Sequence, residues 1–258
     1  MPAPPLVPDG ATGHLIGSPG GALGARGLAI PRSDSNLIAE MAATAARVRL
    51  PVDRAAYEAA GRDPAVPIAW AGRFDARACI LGRDLGRDEV REGEPLVGAS
   101  GRAVRAGVLR ALGAAPGADP LLRSALDHVL LCNLVPYKPP GNRVFSTVAR
   151  EAFRPCLERL LCCLWKGDAV LALGNEARDW FRPYLLDDPG GDPYTREVPC
   201  RIEALCSGRR TERRFLLCPL PHPSPANARW RARFPALLAA RLARWLPSTG
   251  GQRPHRRP

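Results

Sequence analysis

Apolar and polar positions alternate along the central chain in two periods, and the periods take turns. Ser35 is placed to cap a helix whose inward stripe is Leu37, Ile38, Met41, Ala45 and Val48. Ala78-Cys-Ile-Leu-Gly82 is a short continuous apolar run ending in glycine, the pattern of a buried strand entering a loop. A helical period follows over Ser100 to Leu112 through Val104, Val108, Leu109 and Leu112, and a second buried strand over His128 to Leu134. One long helix is predicted from about Thr147 to Trp165, with Phe153, Cys156, Leu157, Leu160, Leu161 and Leu164 inward. Asp168 to Leu173 reads as a third strand and Asn175 to Phe181 as a helix. Two further strands, Arg196 to Leu205 and Arg213 to Leu217, flank the turn at Ser207-Gly-Arg-Arg, and a last helix covers roughly Arg229 to Trp245.

Strand-then-helix repetition predicts a three-layer α/β/α sandwich with a mostly parallel, roughly four-stranded central sheet. Ligands of such sheets bind beyond the carboxyl ends of the strands, so the loops after Leu81, Asn133 and Leu217 are expected to share one site. Residues 1–32, rich in Pro and Gly, read as an arm; residues 33–247 as one domain; residues 248–258 as a basic tail.

Composition changes this picture only modestly. A net charge of +12 points to an acidic partner, most often nucleic acid. Lys138 and Lys166 are the only lysines, however, and abundant Arg, Ala, Gly and Pro fit a GC-rich coding bias that would raise arginine whatever the function. No apolar run is long enough to cross a bilayer, and the opening residues lack the pattern of a secretory signal, so the expectation is a cytoplasmic, monomeric protein without a membrane partner. The eight cysteines include no C-x-x-C pair and sit mostly in apolar runs; buried, reduced thiols are expected.

Three segments carry chemistry. The first is Gly82-Arg-Asp-Leu-Gly-Arg-Asp-Glu-Val-Arg-Glu-Gly-Glu-Pro-Leu-Val-Gly-Ala-Ser-Gly101. It resembles the loop G-E-A-P-G-x-x-E-D-x-x-G-x-P-F-V-G-x-A-G of family-four, thermophile-type uracil-DNA glycosylases, matching without a gap at Gly82, Gly86, Glu89, Gly93, Pro95, Val97, Gly98 and Gly101. Its first five residues are also similar to the G-Q-D-P-Y loop of another family in that superfamily, with Asp84 at the water-activating aspartate. Without the resemblance, a glycine-rich turn before a helix is the plainer reading. The second segment, Leu220-Pro-His-Pro-Ser-Pro225, resembles the H-P-S-P loop of the superfamily, and the third, Asn133 followed by Lys138-Pro-Pro-Gly-Asn-Arg143, its asparagine after a strand and basic P-P-G-N-R loop. In isolation His222 would be an ordinary loop histidine and Asn133 a capping side chain.

The resemblance implies a DNA glycosylase that flips and excises uracil or a related deaminated base. Asp84 would orient water and face the sugar's charge; His222, with backbone N–H of Gly82 and Arg83, would stabilise the departing base; Asn133 would read the base and Leu96 pack on it. Gly98, Ser100, Lys138, Arg143, Ser224 and Arg229 would contact DNA. The implied partner is single-stranded or mismatched uracil-containing DNA.

Departures from the resemblance are Leu96 for the usual Phe, Gly86 for a bulky Tyr that excludes 5-methyl groups, and Ala226 for a leucine wedge, with Asn227 or Arg229 as substitutes. Family four holds an iron–sulfur cluster, but Tyr137 stands at one expected cysteine and Cys156 is a lone remnant, so no metal and no cofactor are expected. Two rivals remain open: a non-catalytic or covalently trapping damage-binding protein on the same scaffold, and a nucleotide-binding enzyme using Gly82–Gly86 as a phosphate loop, though the Lys and Ser/Thr of a P-loop are missing.

Overall fold

The structure, a computed structural model, describes residues 32–246 apart from 116, 142, 188, 189, 225, 226, 228, 229 and 231. The proposed arm up to residue 31, the tail, and the calls on Ala226 and Arg229 lie outside the described residues. The strands are β1 (Trp70–Gly72), β2 (Ala78–Gly82), β3 (Val129–Asn133), β4 (Ala169–Leu173), β5 (Val198–Cys206) and β6 (Arg209–Leu220). The helices are α1 (Arg32–Arg47), α2 (Arg54–Ala59), α3 (Arg87–Glu92), α4 (Ala99–Ala111), α5 (Thr147–Ala152), α6 (Arg154–Arg159), α7 (Asn175–Asp179) and α8 (Phe234–Leu242).

One six-stranded sheet runs in the order β1-β3-β2-β4-β6-β5. Its four central strands are mutually parallel, as expected, while β1 and β5 add antiparallel edges and raise the expected strand count. Strand β1 is three residues long and ends at Gly72, whose left-handed φ of 98° and close approach to the Val129 carbonyl exclude any side chain. So short a segment shows no period.

Alternation along the parallel strands makes the three layers. Cys79, Leu81, Leu130, Cys132, Val170 and Ala172 face a core filled from α1, α2, α6 and the segment after it, with Met41, Tyr57, Phe153, Leu157 and Trp165. Ile80, Val129, Leu131, Leu171 and Cys218 face the other layer, where Val104 and Val108 of α4 meet Leu238 and Leu242 of α8. Gly107 lets the two helices close, since a Cβ there would meet Leu238 Cδ2 at 2.7 Å.

Three expectations need correction. The long helix at 147–165 is three pieces, α5, α6 and a π-helical turn at Leu160–Leu164. Pro155 lies at the start of α6 and has no N–H to continue α5. The first helix begins at Arg32, so Ser35 lies inside it rather than at its cap. The thiols also depart from expectation: Cys163 and Cys206 form a disulfide with Cα atoms 5.5 Å apart, while the other six are free and buried.

Candidate active site

Parallel strands β2 and β3 end level with one another, Gly82 opposite Asn133, and β6, beyond β4 in the sheet, ends at the same edge at Leu220. The loops leaving these ends enclose a cavity of about 440 Å³, lined among others by Gly82, Arg83, Asp84, Leu96, Ser100, Asn133, Arg143, His222 and Ser224. The three motifs therefore meet, as the strand-end rule requires.

Asn133 is 4% exposed, and neither end of its amide has a hydrogen-bonding partner in the protein. Gly82 makes its place, because a Cβ on Gly82 would lie 2.2 Å from Asn133 Oδ1 and 3.3 Å from Leu96 Cδ2. Beside it stands Asp84, with 4% of its side chain exposed. Arg83 Nε donates to Asp84 Oδ2 at 2.8 Å, whereas Oδ1 is buried without a partner. Burial pushes the Asp84 carboxyl up to about 6, against the pull of Arg83 and Arg150. His222 closes the opposite side, its Cβ against Gly174, which takes φ 85°. Burial, then the Arg83 charge, holds its imidazole below the ordinary histidine value, so at neutral pH the ring is neutral and keeps one N–H to donate.

The first motif is braced by a residue whose role the sequence did not disclose. Glu89, 8% exposed, accepts from Gly86 N (2.9 Å) through Oε2 and from Val97 N (3.0 Å) and Gly98 N (2.8 Å) through Oε1. Gly98 thus spends its N–H on Glu89 rather than offering it to DNA. Arg105, fully buried, is the second brace: it donates to the carbonyls of Leu96 (2.8 Å), Pro95 (3.1 Å) and Leu121 (2.9 Å) and pairs with Glu94. Between them Leu96 holds a left-handed φ of 54°, and its backbone abuts Gly101 so closely that a Cβ there would lie 1.9 Å from Leu96 C.

Lys138 corrects another expectation. It is 3% exposed, and its ammonium donates to Asp53 Oδ2 (2.7 Å), Pro139 O (3.0 Å) and Gly141 O (2.6 Å), which uses all three of its protons. It folds the P-P-G-N-R loop onto α2 and has no donor left for phosphate. Arg143 on the same loop is exposed and lines the cavity mouth; Ser100 and Ser224 are half-buried there. No Phe, Tyr or Trp side chain lines the cavity among the described residues. A larger hollow of about 620 Å³, lined by Arg178, Arg182, Leu186 and Arg196 among others, holds no buried unpaired polar side-chain atom among those residues.

The sequence model of the Uracil DNA glycosylase superfamily matches residues 70–246. This chain belongs to that superfamily. The match takes in all six strands and every described residue of the cavity. No curated protein matches the chain. Membership points to a glycosylase-type hydrolase acting on DNA, and among the described residues no helix is long and apolar enough to cross a membrane. An iron–sulfur cluster does not fit the residues present. Tyr137 is buried with its hydroxyl donating to Ala65 O (3.0 Å) and its ring against Phe153, and no three His, Cys, Asp or Glu side chains among the described residues converge as a metal group.

Proposed function

We propose that the protein flips uracil, or a related deaminated base, out of DNA and hydrolyses its N-glycosidic bond. The observation that carries this reading is the buried Asn133 amide with both ends unpaired, opening on the same cavity as an unpaired oxygen of Asp84. An unsatisfied buried polar group costs about 1–3 kcal/mol, so two such groups in one cavity are explained by a ligand that pairs them. The amide offers one donor and one acceptor side by side. Uracil presents the complement, a 4-oxo acceptor and an N3–H donor, and cytosine the reverse.

Bond breaking leaves negative charge on the base and positive charge on the sugar. The His222 N–H donates toward the base oxygen as that charge grows, a form of oxyanion stabilisation. Asp84, ionised above about pH 6, faces the sugar and aligns water through its free Oδ1. Leu96 packs on the base face, and Arg143, Ser100 and Ser224 meet the backbone around it. A purely binding protein would gain nothing from a half-paired buried carboxylate.

The test is a panel of oligonucleotides bearing uracil, hypoxanthine, xanthine or thymine opposite each base and in single strands. Release of uracil with turnover supports the reading. Asn133→Asp should weaken uracil excision and relax discrimination against cytosine. Binding without release from any substrate would sink it.

A further inference from the structure

A second opening lies on the same edge of the sheet as the cavity, across α7. Glu176 and Arg178 are two residues apart on that short helix and so face nearly opposite ways, a turn taking about 3.6 residues. Glu176 accepts from Arg83 on the cavity side at 3.2 Å, whereas Arg178 lines the hollow of about 620 Å³ that reaches Leu217 and Pro219 of β6. The two openings are thus about one helix diameter apart, on the order of 10–12 Å. Tyr194 joins them. Its hydroxyl donates to Asn175 Oδ1 at 2.7 Å, next to the Gly174 that seats His222, and its neighbour Pro193 lines the hollow. The ring of Trp230 meets that of Tyr194 edge-on at 6.3 Å, and both rings are half-buried.

The hollow has the make-up of a nucleotide site. Leu185, Leu186, Val198, Leu217 and Pro219 form its apolar part, and Leu186 is 47% exposed there. Arg178, Arg182 and Arg196 line it against Asp179 and Asp187. Arg178 and Arg182 both donate to Asp179 Oδ1, at 2.7 and 3.3 Å, so one carboxylate holds two guanidinium groups side by side and the cluster keeps an excess positive charge. An apolar lining with a few placed polar groups is the usual composition of a small-ligand pocket. Aromatic rings beside arginines are what unpaired bases stack on.

We propose that the hollow is a second nucleotide subsite: it takes an unpaired nucleotide flanking the excised one, with the base on the apolar part, the phosphate at Arg178 and Arg182, and the strand crossing Tyr194 and Trp230. One strand advances about 3.4 Å per stacked nucleotide and further when splayed, so the occupant is about two or three positions from the target. Its base must be splayed out to enter, and the subsite therefore selects single strands or unpaired tracts. The proposal rests on the glycosylase reading for its register but not for its chemistry, since a free nucleoside monophosphate offers the same base and phosphate.

The experiment measures, by anisotropy, binding of a short single strand with one central uracil to full-length Asp84→Asn protein, which leaves the strand intact. Abasic spacers replace the flanking nucleotides one at a time. A spacer about two or three positions from uracil, on one side only, should weaken binding by about 5-fold or more, the loss of one stacked base. Arg182→Ala and Leu186→Asp, both at exposed side chains, should each weaken the single strand by about 5-fold and flatten the spacer profile, with a fully paired duplex little affected. A flat profile before these substitutions overturns the proposal, as does a profile that survives both. If the profile is flat while thymidine monophosphate binds wild type but not Arg182→Ala, the hollow serves a free nucleotide and the strand subsite is wrong. If wild-type protein releases no base yet the spacer step is present, the glycosylase reading falls and the subsite stands.

Discussion

Among the described residues, the wall of the cavity running from Gly82 to Gly101 and the wall carrying His222 are fastened to different degrees. On the first, Glu89 ties three backbone N–H groups and Arg105 three carbonyls, all within or beside one loop. On the second, the described ties include the N–H of Gly174 to Leu220 O at 2.8 Å and two from Asn227, whose Nδ2 donates to His222 O at 3.2 Å and whose N–H donates to Ser224 O at 2.9 Å. The difference follows from what each wall does in the proposed reaction. A wall that reads a base discriminates by leaving a wrong base's groups unpaired, which works only if it cannot adjust. A donor that acts on charge appearing during bond breaking can tighten as the charge grows. Within the first wall the same contrast recurs between two buried acids, Glu89 with both oxygens engaged and Asp84 with one.

The largest expected effect breaks the open acid. Asp84→Asn should lower single-turnover excision by about 10²–10⁴ while leaving DNA affinity near wild type, read by quench-flow and anisotropy. Retained cleavage would remove Asp84 from the chemistry. Next, His222→Ala should lower the rate by about 10²–10³, yet shift unfolding by under ~1 kcal/mol, since the described ties near it run through backbone that the substitution leaves in place. Glu89→Gln should do the reverse, costing about 1–3 kcal/mol in urea unfolding, since an amide keeps only one accepting oxygen and its nitrogen cannot accept from the N–H of Gly86 on one side or of Val97 and Gly98 on the other. A stable Glu89→Gln protein would mean that the first wall stands without its brace.

pH sharpens the contrast between the two acids. The folded Asp84 value of about 6 lies above its unfolded value, so its contribution to stability is complete below the unfolded value and is lost as pH rises through 6. Wild type and Asp84→Asn should therefore melt alike near pH 4, and the variant should be more stable by about 1–3 kcal/mol near pH 8. A difference constant with pH would contradict the buried, half-paired carboxylate. The smallest effect is at the mouth: Arg143→Ala should weaken binding to all sequences alike and reduce the slope of log affinity against log salt by about 1. Lys138→Met, whose ammonium is already occupied, should leave that slope unchanged.

The strand ends at Gly82 and Asn133 were legible because continuous apolar runs stop there, and strand-end loops in a parallel sheet converge; β6 runs on to Leu220, past the end expected at Leu217. Asp84, Asn133, Leu96 and His222 were named together only through the family resemblance of the segments that carry them. Burial decided what sequence could not. Lys138 looked like a phosphate contact because only its charge was visible; its partner Asp53 is 85 residues earlier on another element. Glu89 matched a family position, but nothing in the sequence said that its carboxylate faces inward to three amides. Pro155 was a visible stop signal that the strong apolar period on either side outweighed, and Cys163 and Cys206, 43 residues apart, had no spacing to link them.

Leu96 has a bearing on how this pocket could be retuned. Its left-handed backbone, fixed from both sides, admits Gly and Asn with least strain, whereas another ordinary side chain inherits a penalty of about 1–2 kcal/mol and a β-branched one more. An aromatic ring introduced at this point would sit on the same unfavourable backbone as leucine. An asparagine would relieve it and set a second amide next to that of Asn133. The inexpensive changes at this position thus run toward new hydrogen-bonding patterns, not toward larger apolar faces, and selection for a different base would find a polar pocket floor within one substitution.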